Sequence, residues 1–419
     1  MTFKKPKILY FTDCFIFGGC EYVLANLINN KKINEQFKII YSYRYSHLYQ
    51  DAVNKKFGPE VQKKPLFLLD FSTSLYRLGL SQNRKLIKKS ISLIILIIKK
   101  TKLLSLVNFV QIFILLRRIK PDILHINNGG YPAAENCRIA VFSARFAGIK
   151  RIVFGVHNLA LKQKTILEKY KDTFINKNVS YFITASKTAR LKLIENRKFD
   201  KNHVIQIYNA ITHPEVIINK PILLKEFNIE NNKFIIVEVA LLTKRKGQIH
   251  LLNAVKKIRD VDEEIFNNIF VFFIGEGEDR FKLENYVKKH NLEKNINFLG
   301  YRSDYMDFIN AADIFVLPSI QYEDMPLVIL SAMSLKKTII STQLAGIMEE
   351  IRHNQEGILL KPNELDKLSE SIIRLYKDAE FCKKLGINAY QRYIKFFDSK
   401  RIISEYVKVY KRLIEEKDF

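Results

Sequence analysis

The chain has 419 residues, of which 47% are hydrophobic and 27% are charged, and its formal net charge is +26. This length and apolar content can form large buried cores and suit two domains better than one, which argues against a disordered chain. The opening residues lead directly into the short apolar stretch 7–11, so we expect no secretory signal. The four cysteines are too sparse for a disulfide framework and lack metal-ligand spacing, so the sequence predicts a cytoplasmic protein with no metal site.

The positive charge has a local concentration, because no acidic residue lies between Asp70 and Asp122. Two apolar runs in this interval, 91–98 and 103–116, are shorter than the ~20 residues needed to span a bilayer. They are predicted to be helices that lie on an anionic membrane surface, helices that cover a parallel sheet, or both. We therefore expect a peripheral position on the inner face of the cell membrane.

A high net charge also raises the possibility of nucleic-acid binding, since Lys and Arg neutralise phosphates. The chain is rich in Lys, Ile and Asn throughout, which indicates codon bias rather than a binding patch. No nucleic-acid recognition motif accompanies the charge. We therefore expect no nucleic-acid partner.

Short apolar runs alternate with helical patterns along the whole chain, as in parallel sheets built from strand-helix-strand units. The fold class is predicted as α/β, with two Rossmann-like doubly wound domains. We place a first domain at 1–212, a second at 213–395 and a final helix at 396–419, because Pro- and Asn-rich residues interrupt the pattern between Thr212 and Lys233. The predicted strands are 7–11, 37–41, 66–70, 123–126, 151–156, 181–185, 204–208, 234–240, 269–274, 296–299, 314–317, 338–341 and 357–360.

Two strand-to-helix turns have the residue types that bind phosphate. Gly18 and Gly19 follow the first strand, where a ligand can approach the backbone at a helix N-terminus. In the second domain, Arg245 and Lys246 precede a helix beginning near Gln248, so side-chain charge and helix dipole act at one point. Tight geometry and a solvated basic loop are the structural alternatives for the two turns.

The segment 311–333 contains a strand ending before Pro318, a loop with Glu323, and a helix opened by Pro326. A carboxylate at this place can accept hydrogen bonds from sugar hydroxyls. Further loops that end strands of the same sheet should lie at its ligand-binding carboxyl edge. The residues predicted to bind a ligand at this edge are Gly275, Gly277, Arg302, Met325, Pro326 and Leu327.

The order of these motifs resembles glycosyltransferase family four, a retaining family with two Rossmann-like domains facing across a cleft, the GT-B fold. The resemblance extends over nearly the whole chain, from the Gly-Gly-x-Glu turn to Glu323. It implies that Gly18 and Gly19 lie against the donor phosphate, that Lys246 with Arg245 binds the diphosphate, and that Glu323 contacts the donor sugar. It also implies that the last helix returns to the first domain.

The chain departs from the family pattern at several positions. Ser331 replaces a second Glu that holds the ribose, and Lys336-Lys337-Thr338 replaces a Gly-x-Pro. The usual early Arg of the basic motif aligns with Leu241, so Arg245 must substitute for it.

A family His in the first domain aligns with Asn127, which leaves His125 and His157 as nearby imidazoles. These three are the acceptor-side candidates. For either His, a hydrogen-bonded residue at a strand end is the structural alternative.

The resemblance implies transfer of a sugar from a nucleotide-diphosphate donor to a glycan or lipid-linked acceptor of the cell envelope, with retention. The leaving diphosphate would accept the acceptor's proton while Arg245 and Lys246 stabilise its charge. No metal-bridging carboxylate pair is evident, so we expect no cofactor and no required metal. The alternative is a degenerate partner subunit that binds nucleotide sugar without turnover.

Overall fold

The computed structural model describes residues 5–14, 17–69, 103–212 and 216–416. Two compact units make up the chain. The first consists of Met1–Thr184, Arg190–Ile207 and Ile403–Phe419, and the second of Ala185–Ala189 and Tyr208–Ile402. The predicted apolar run 91–98 and its flanking lysines lie outside the described residues. None of the described helices is long and apolar enough to cross a membrane.

The strands follow the predicted positions closely, with one exception discussed below. In chain order they are β1 (Lys7–Thr12), β2 (Lys38–Arg44), β3 (Gln62–Leu66), β4 (Ile123–Asn128), β5 (Ile152–Val156), β6 (Tyr181–Thr184), β7 (Val204–Gln206), β8 (Phe234–Val239), β9 (Ile269–Ile274), β10 (Ile296–Gly300), β11 (Ile314–Leu317), β12 (Thr338–Thr342) and β13 (Gly357–Leu360).

The helices of the described residues alternate with these strands. In chain order they are α1 (Gly19–Ile28), α2 (Lys31–Gln36), α3 (His47–Lys56), α4 (Leu103–Ile119), α5 (Glu135–Phe146), α6 (Ile166–Asn178), α7 (Lys187–Arg197), α8 (Lys220–Glu226), α9 (Gln248–Val261), α10 (Glu263–Asn268), α11 (Arg280–Lys289), α12 (Tyr305–Ala311), α13 (Leu327–Ser334), α14 (Ile347–Glu350), α15 (Leu368–Lys377), α16 (Ala379–Phe396) and α17 (Ser399–Glu415).

Each unit contains one parallel sheet, and the predicted fold class is confirmed. The order is β3-β2-β1-β4-β5-β6-β7 in the first unit and β10-β9-β8-β11-β12-β13 in the second. In both sheets the first three strands are added toward one edge, and the later strands are added on the other side of the first strand. The reversal lies between β1 and β4 in the first sheet and between β8 and β11 in the second. Open sheets of this kind bind ligands at the carboxyl ends of the strands beside that reversal.

The third strand is the exception, because the sequence predicts residues 66–70 and the structure forms it at Gln62–Leu66. β3 is the edge of its sheet and most of its residues are exposed or half-exposed. An edge strand needs no apolar alternation, and it tolerates Pro65 because one side of the strand lacks a partner. The prediction followed the apolar run 66–69 and therefore placed the strand four residues too late in the chain.

Both sheets are covered by apolar residues. In the second unit the alternation along β8 sends Ile236 to one buried cluster and Ile235 and Val237 to the other. In the first unit, Ile112 and Leu116 of α4 pack into the cluster that contains Leu124 of β4. The predicted final helix forms at Ser399–Glu415, and its apolar face is buried: Ile402, Ile403, Tyr406, Val407, Tyr410 and Leu413.

Candidate active site

The loop after β8 is held tightly against the loop after the neighbouring strand β11. Lys244–Lys246 form a single 3-10 turn, and Gly247 then caps α9 with φ +77°. A Cβ at Gly247 would lie 2.0 Å from the Pro318 carbonyl oxygen, so only glycine fits here. The Ile320 N–H donates to the Arg245 carbonyl at 2.9 Å. These contacts fix the basic turn beside the segment that carries Glu323.

Arg245, Lys246 and Glu323 form one cluster of charges at this edge of the second sheet. Glu323 Oε1 accepts a hydrogen bond from Arg245 Nη1 at 2.8 Å and also contacts Lys246 Nζ. The Ser319 hydroxyl donates to the same oxygen at 3.4 Å. Glu323 and Lys246 are buried, whereas the Arg245 side chain is 34% exposed. Two cations share one carboxylate, so the cluster has a net positive charge where an anion would be stabilised.

A second carboxyl group lies near this cluster on strand β8, and the sequence did not identify it as part of the candidate site. Glu238 of β8 is completely buried, and its Oε1 accepts from Gln248 Nε2 at 2.9 Å. Its Oε2 has no hydrogen-bond partner among the described residues. Burial raises the pKa of Glu238 well above its ordinary value, although Lys246 and Gln248 lower it. The signal was a Glu within the apolar strand Phe234–Val239.

Three further carboxyl groups lie near Glu323 in the second unit: Asp324 and Glu350 are buried, and Glu349 is half-buried. Asp324 is hydrogen-bonded to the Ser186 hydroxyl, and burial raises the pKa of Asp324 to about 6. Glu349 accepts backbone N–H bonds from Lys187 and Thr188 at 3.0 Å each. Glu350 is completely buried, and burial raises its pKa well above the ordinary value. The sequence analysis identified none of these three groups.

Two of the predicted donor-binding glycines have a packing role. Gly275 adopts φ +140°, and a Cβ there would lie 1.9 Å from the Ala240 carbonyl oxygen. A Cβ at Gly277 would lie 2.2 Å from the Leu242 carbonyl oxygen. Both glycines let the turn after β9 pack against the start of the basic loop. Their predicted contact with donor stays a prediction.

The other predicted donor-binding residues are more engaged with the protein than expected. Arg302 donates to both carboxylate oxygens of Asp304, at 2.8 and 2.6 Å. The Met325 carbonyl accepts from Asn209 Nδ2 at 3.0 Å. Pro326 is the N-cap of α13, and Leu327 is its first residue, so the predicted helix start is confirmed. The free N–H groups of α13 therefore begin at Leu327, directly after the loop that contains Glu323.

Ser331 is completely buried within α13. Its hydroxyl donates to the Leu327 carbonyl of the preceding turn at 3.1 Å. A side chain held this way offers no exposed atom to a ribose. The helix ends with N–H bonds from Lys336 to Met333 and from Lys337 to Ala332, and Lys336 adopts φ +57°. Lys336 thus occupies a left-handed position that usually requires glycine.

In the first unit, the predicted glycine turn is an open helix start. α1 begins at Gly19, and the Gly18 N–H donates to Glu21 Oε2 at 3.1 Å. Among the described residues, a Cβ at Gly19 would meet no atom within 4 Å. Packing against these residues therefore does not require glycine here, and a ligand could approach this face.

The three acceptor-side candidates have different surroundings in the first unit. His125 is buried in the middle of β4, and its Nδ1 is 2.7 Å from the Tyr410 hydroxyl of α17. Burial, with a smaller effect of His157, lowers the pKa of His125 to about 3, so the ring is neutral. Asn127 accepts from His157 Nε2 at 2.7 Å and donates to the Cys20 carbonyl at 3.4 Å. For His125 the geometry supports the structural alternative.

Comparisons with known proteins agree with this architecture. The family described as glycosyl transferases group 1 matches residues 219–392. An uncharacterized glycosyltransferase of Methanocaldococcus jannaschii, MJ1178, is 30% identical over 294 residues, which are 70% of this chain and 76% of the relative. The UDP-Gal:alpha-D-GlcNAc-diphosphoundecaprenol alpha-1,3-galactosyltransferase of Escherichia coli is 27% identical over 280 residues, 65% of this chain and 70% of the relative.

Solved structures show the same fold at low sequence identity. A glycosyltransferase from Rickettsia africae superimposes with a TM-score of 0.76 at 16% identity, covering 99% of this chain and 100% of that one. Anabaena HepE in complex with UDP gives a TM-score of 0.74 at 16% identity, covering 97% and 100%. The two parallel sheets therefore form a GT-B fold, and the chain belongs to the glycosyl transferases group 1 family.

Proposed function

We propose that this glycosyltransferase uses a nucleotide-diphosphate sugar and transfers the sugar, with retention of configuration, to a lipid-linked or other cell-envelope glycan in the cytoplasm. The observation that carries the proposal is the cluster of Arg245, Lys246 and Glu323. It lies at the carboxyl ends of β8 and β11, beside the reversal of strand order.

The cluster suits a diphosphate leaving group. Glu323 neutralises one of the two cations, and the partly exposed Arg245 guanidinium has further N–H groups to offer an anion. Charge that develops on the departing diphosphate would be stabilised by groups already fixed in place, since the turn is packed against Pro318. Arg245 and Lys246 would perform the charge neutralisation that a bound cation performs elsewhere, so we propose that transfer requires no metal.

Glu323 has a second role in this proposal. Its carboxylate is held by Arg245 Nη1, Lys246 Nζ and the Ser319 hydroxyl, which fixes its orientation. When the diphosphate draws the two cations, the carboxylate becomes available to accept hydrogen bonds from donor sugar hydroxyls. With retention, the leaving oxygen accepts the acceptor's proton on the face of the sugar from which it departs.

The nature of donor and acceptor is suggested by relatives. The E. coli relative is named for a UDP-galactose donor and an undecaprenol-linked acceptor, and the Anabaena structure contains UDP. We therefore propose a uridine-diphosphate sugar as the donor and a polyprenyl-diphosphate glycan as the acceptor of this chain. In the first unit, Gly19 at its open helix start, and Asn127 with His157, are the groups proposed to face substrate.

An anionic membrane surface is the proposed location of the acceptor. Along α4, one face exposes Leu106, Val110 and Ile114 by 59%, 44% and 42%, and the last turn contains Arg117 and Arg118. Residues four apart lie on the same helix face, so these side chains form an apolar stripe ending in positive charge. This combination suits the headgroup region of a bilayer with anionic lipids.

Donor turnover tests the proposal. Wild type is assayed with a panel of nucleotide sugars and a polyprenyl-diphosphate GlcNAc acceptor, with and without a chelator, and the anomer of the product is assigned by NMR. We expect retention, no effect of the chelator, and a roughly hundredfold loss of kcat in Lys246→Ala. Lys244→Ala is the matched control, because Lys244 is an exposed lysine of the same turn. Equal activity of the two variants would remove Lys246 from the site.

One observation favours a second candidate, a subunit that binds nucleotide sugar without turnover. Ser331 stands where the resembled family places a ribose-binding Glu, and it is completely buried. Tight binding of a nucleotide sugar with neither transfer nor donor hydrolysis would support this candidate and contradict the first.

A further inference from the structure

Two cysteines that are separated by five residues in sequence meet in the first unit. Cys14 lies just after β1, and Cys20 is the second residue of α1, next to Glu21. The two sulfur atoms and a carboxylate oxygen of Glu21 lie within 4.8 Å of one another. No other group of three such side chains is this close among residues 5–14, 17–69, 103–212 and 216–416. The sequence analysis expected no metal-ligand arrangement of the cysteines.

Hydrogen bonds already orient this cluster. Cys20 Sγ donates to Glu21 Oε2 at 3.0 Å, and the Cys14 backbone N–H donates to the Thr12 hydroxyl at 3.4 Å. The Gly18 N–H donates to the same oxygen at 3.1 Å, and the Thr12 hydroxyl donates to Glu21 Oε1 at 3.3 Å. Glu21 is 1% exposed, so its orientation is fixed by these donors. The carboxylate therefore points toward both sulfur atoms.

We propose that Cys14, Cys20 and Glu21 bind a thiophilic divalent cation of the zinc class. Zinc lies about 2.3 Å from a thiolate sulfur and about 2.0–2.2 Å from a carboxylate oxygen in proteins, so its ligand atoms lie a few ångström apart. The observed cluster has this size. Cys14 and Cys20 are each half-buried, which leaves access for the ion and for a solvent molecule as fourth ligand.

The ligand set selects among metals. Two sulfur ligands favour zinc and other soft cations, whereas magnesium prefers an octahedral set of oxygen ligands. Binding of the ion would release the thiol protons, including the one that Cys20 now donates to Glu21. The site lies in the first unit and shares no residue with Arg245, Lys246 and Glu323, so its occupancy is measured independently of the proposed transfer reaction.

Occupancy has a local structural consequence. Glu21 Oε2 now accepts from both Cys20 Sγ and the Gly18 N–H. A cation bound by that oxygen competes with the N–H at the start of α1. The proposed site thereby connects metal binding to the glycine turn, and through the Cys20 carbonyl to the Asn127 amide.

The test uses the full chain kept reduced with a phosphine, with Cd²⁺ as the spectroscopic probe and Zn²⁺ affinity measured by competition with a chromophoric chelator. We expect one equivalent of Cd²⁺ to produce thiolate-to-metal ultraviolet absorption that Zn²⁺ suppresses and Mg²⁺ does not. Cys14→Ser and Cys20→Ser should each weaken Zn²⁺ binding by about a hundredfold or more, since second-shell partners alone account for about 10–100-fold.

Matched controls come from the two remaining cysteines, which are buried elsewhere. Cys137→Ser and Cys382→Ser should bind Zn²⁺ as wild type does. Glu21→Gln retains an acceptor for the Gly18 N–H, so it separates ligand loss from misfolding; it should weaken binding while keeping the sulfur absorption. Wild type without the absorption band, or equal losses in all four serine variants, would overturn the proposal.

Discussion

The two units place polar residues around the same topological feature, the reversal in strand order, yet they use them differently. In the second unit, Arg245, Lys246 and Glu323 form a partly exposed cluster of ion pairs on loops that follow central strands. In the first unit, His125 is neutral, buried and hydrogen-bonded to Tyr410. This difference indicates that a polar residue near the reversal is a candidate for ligand binding only where the fold leaves part of it accessible.

Acidification should have the largest effect on stability through the buried, neutral His125 of the first unit. The folded-state pKa of His125 is about 3, below the ordinary value of about 6.5, so the unfolded chain binds the proton more readily. The contribution of His125 to the free energy of unfolding is therefore complete above pH ~6.5. It falls by about 1.4 kcal/mol for each pH unit below that value, until the folded-state pKa is reached.

Chemical denaturation of wild type and His125→Gln from pH 7 to pH 5 measures this loss. The free energy of unfolding of the variant should be less dependent on pH, because Gln does not titrate. His47→Gln, an exposed His in the same unit, is the control and should follow wild type. Parallel curves for wild type and His125→Gln would show that His125 is not neutral in the folded state.

In the second unit, Asp324 should make stability depend on pH in the opposite direction. Burial raises the pKa of Asp324 to about 6, so the folded state holds the proton more tightly than the unfolded state does. Its contribution is complete below pH ~4 and is lost as the pH rises through about 6. Asp324→Asn preserves an acceptor for the Ser186 hydroxyl and should stabilise the protein by about 1–3 kcal/mol at pH 8.

The measurement is the difference in unfolding free energy between Asp324→Asn and wild type at pH 5 and pH 8. The difference should grow with pH, whereas Asp366→Asn, an exposed aspartate in the same unit, should show no such growth. An effect of Asp324→Asn that is constant with pH would argue against a raised pKa.

A smaller effect is expected at the end of α13, where Lys336 adopts φ +57°. Left-handed backbone costs about 1–2 kcal/mol for a residue with a Cβ. Lys336→Gly should therefore be more stable than Lys336→Ala by about 1 kcal/mol, and both variants lack the contact of the Lys336 ammonium with the Tyr390 ring. Thermal unfolding of the pair measures this, and equal stabilities would mean that the turn relaxes.

The sequence predicted the fold well because buried parallel strands are continuous apolar runs. It misplaced β3, whose position depends on pairing with β2 at an edge rather than on its own pattern. Lys246 and Glu323 could be found from their places after strands. Glu238 is visible as a carboxyl group within an apolar strand, but the pattern does not show which partners the fold supplies, and Glu350 has no such signal. The nearness of Cys14 and Cys20 likewise depends on how the fold brings the end of β1 close to the start of α1.

Calorimetric titration with UDP and UMP tests whether the basic turn of the second unit binds a nucleotide diphosphate. Wild type should bind UDP more tightly than UMP, because the second phosphate is the group that we propose Arg245 and Lys246 to hold. Lys246→Ala should remove most of that difference while Lys244→Ala preserves it. Equal affinities of wild type for UDP and UMP, or an undiminished preference in Lys246→Ala, would contradict the account.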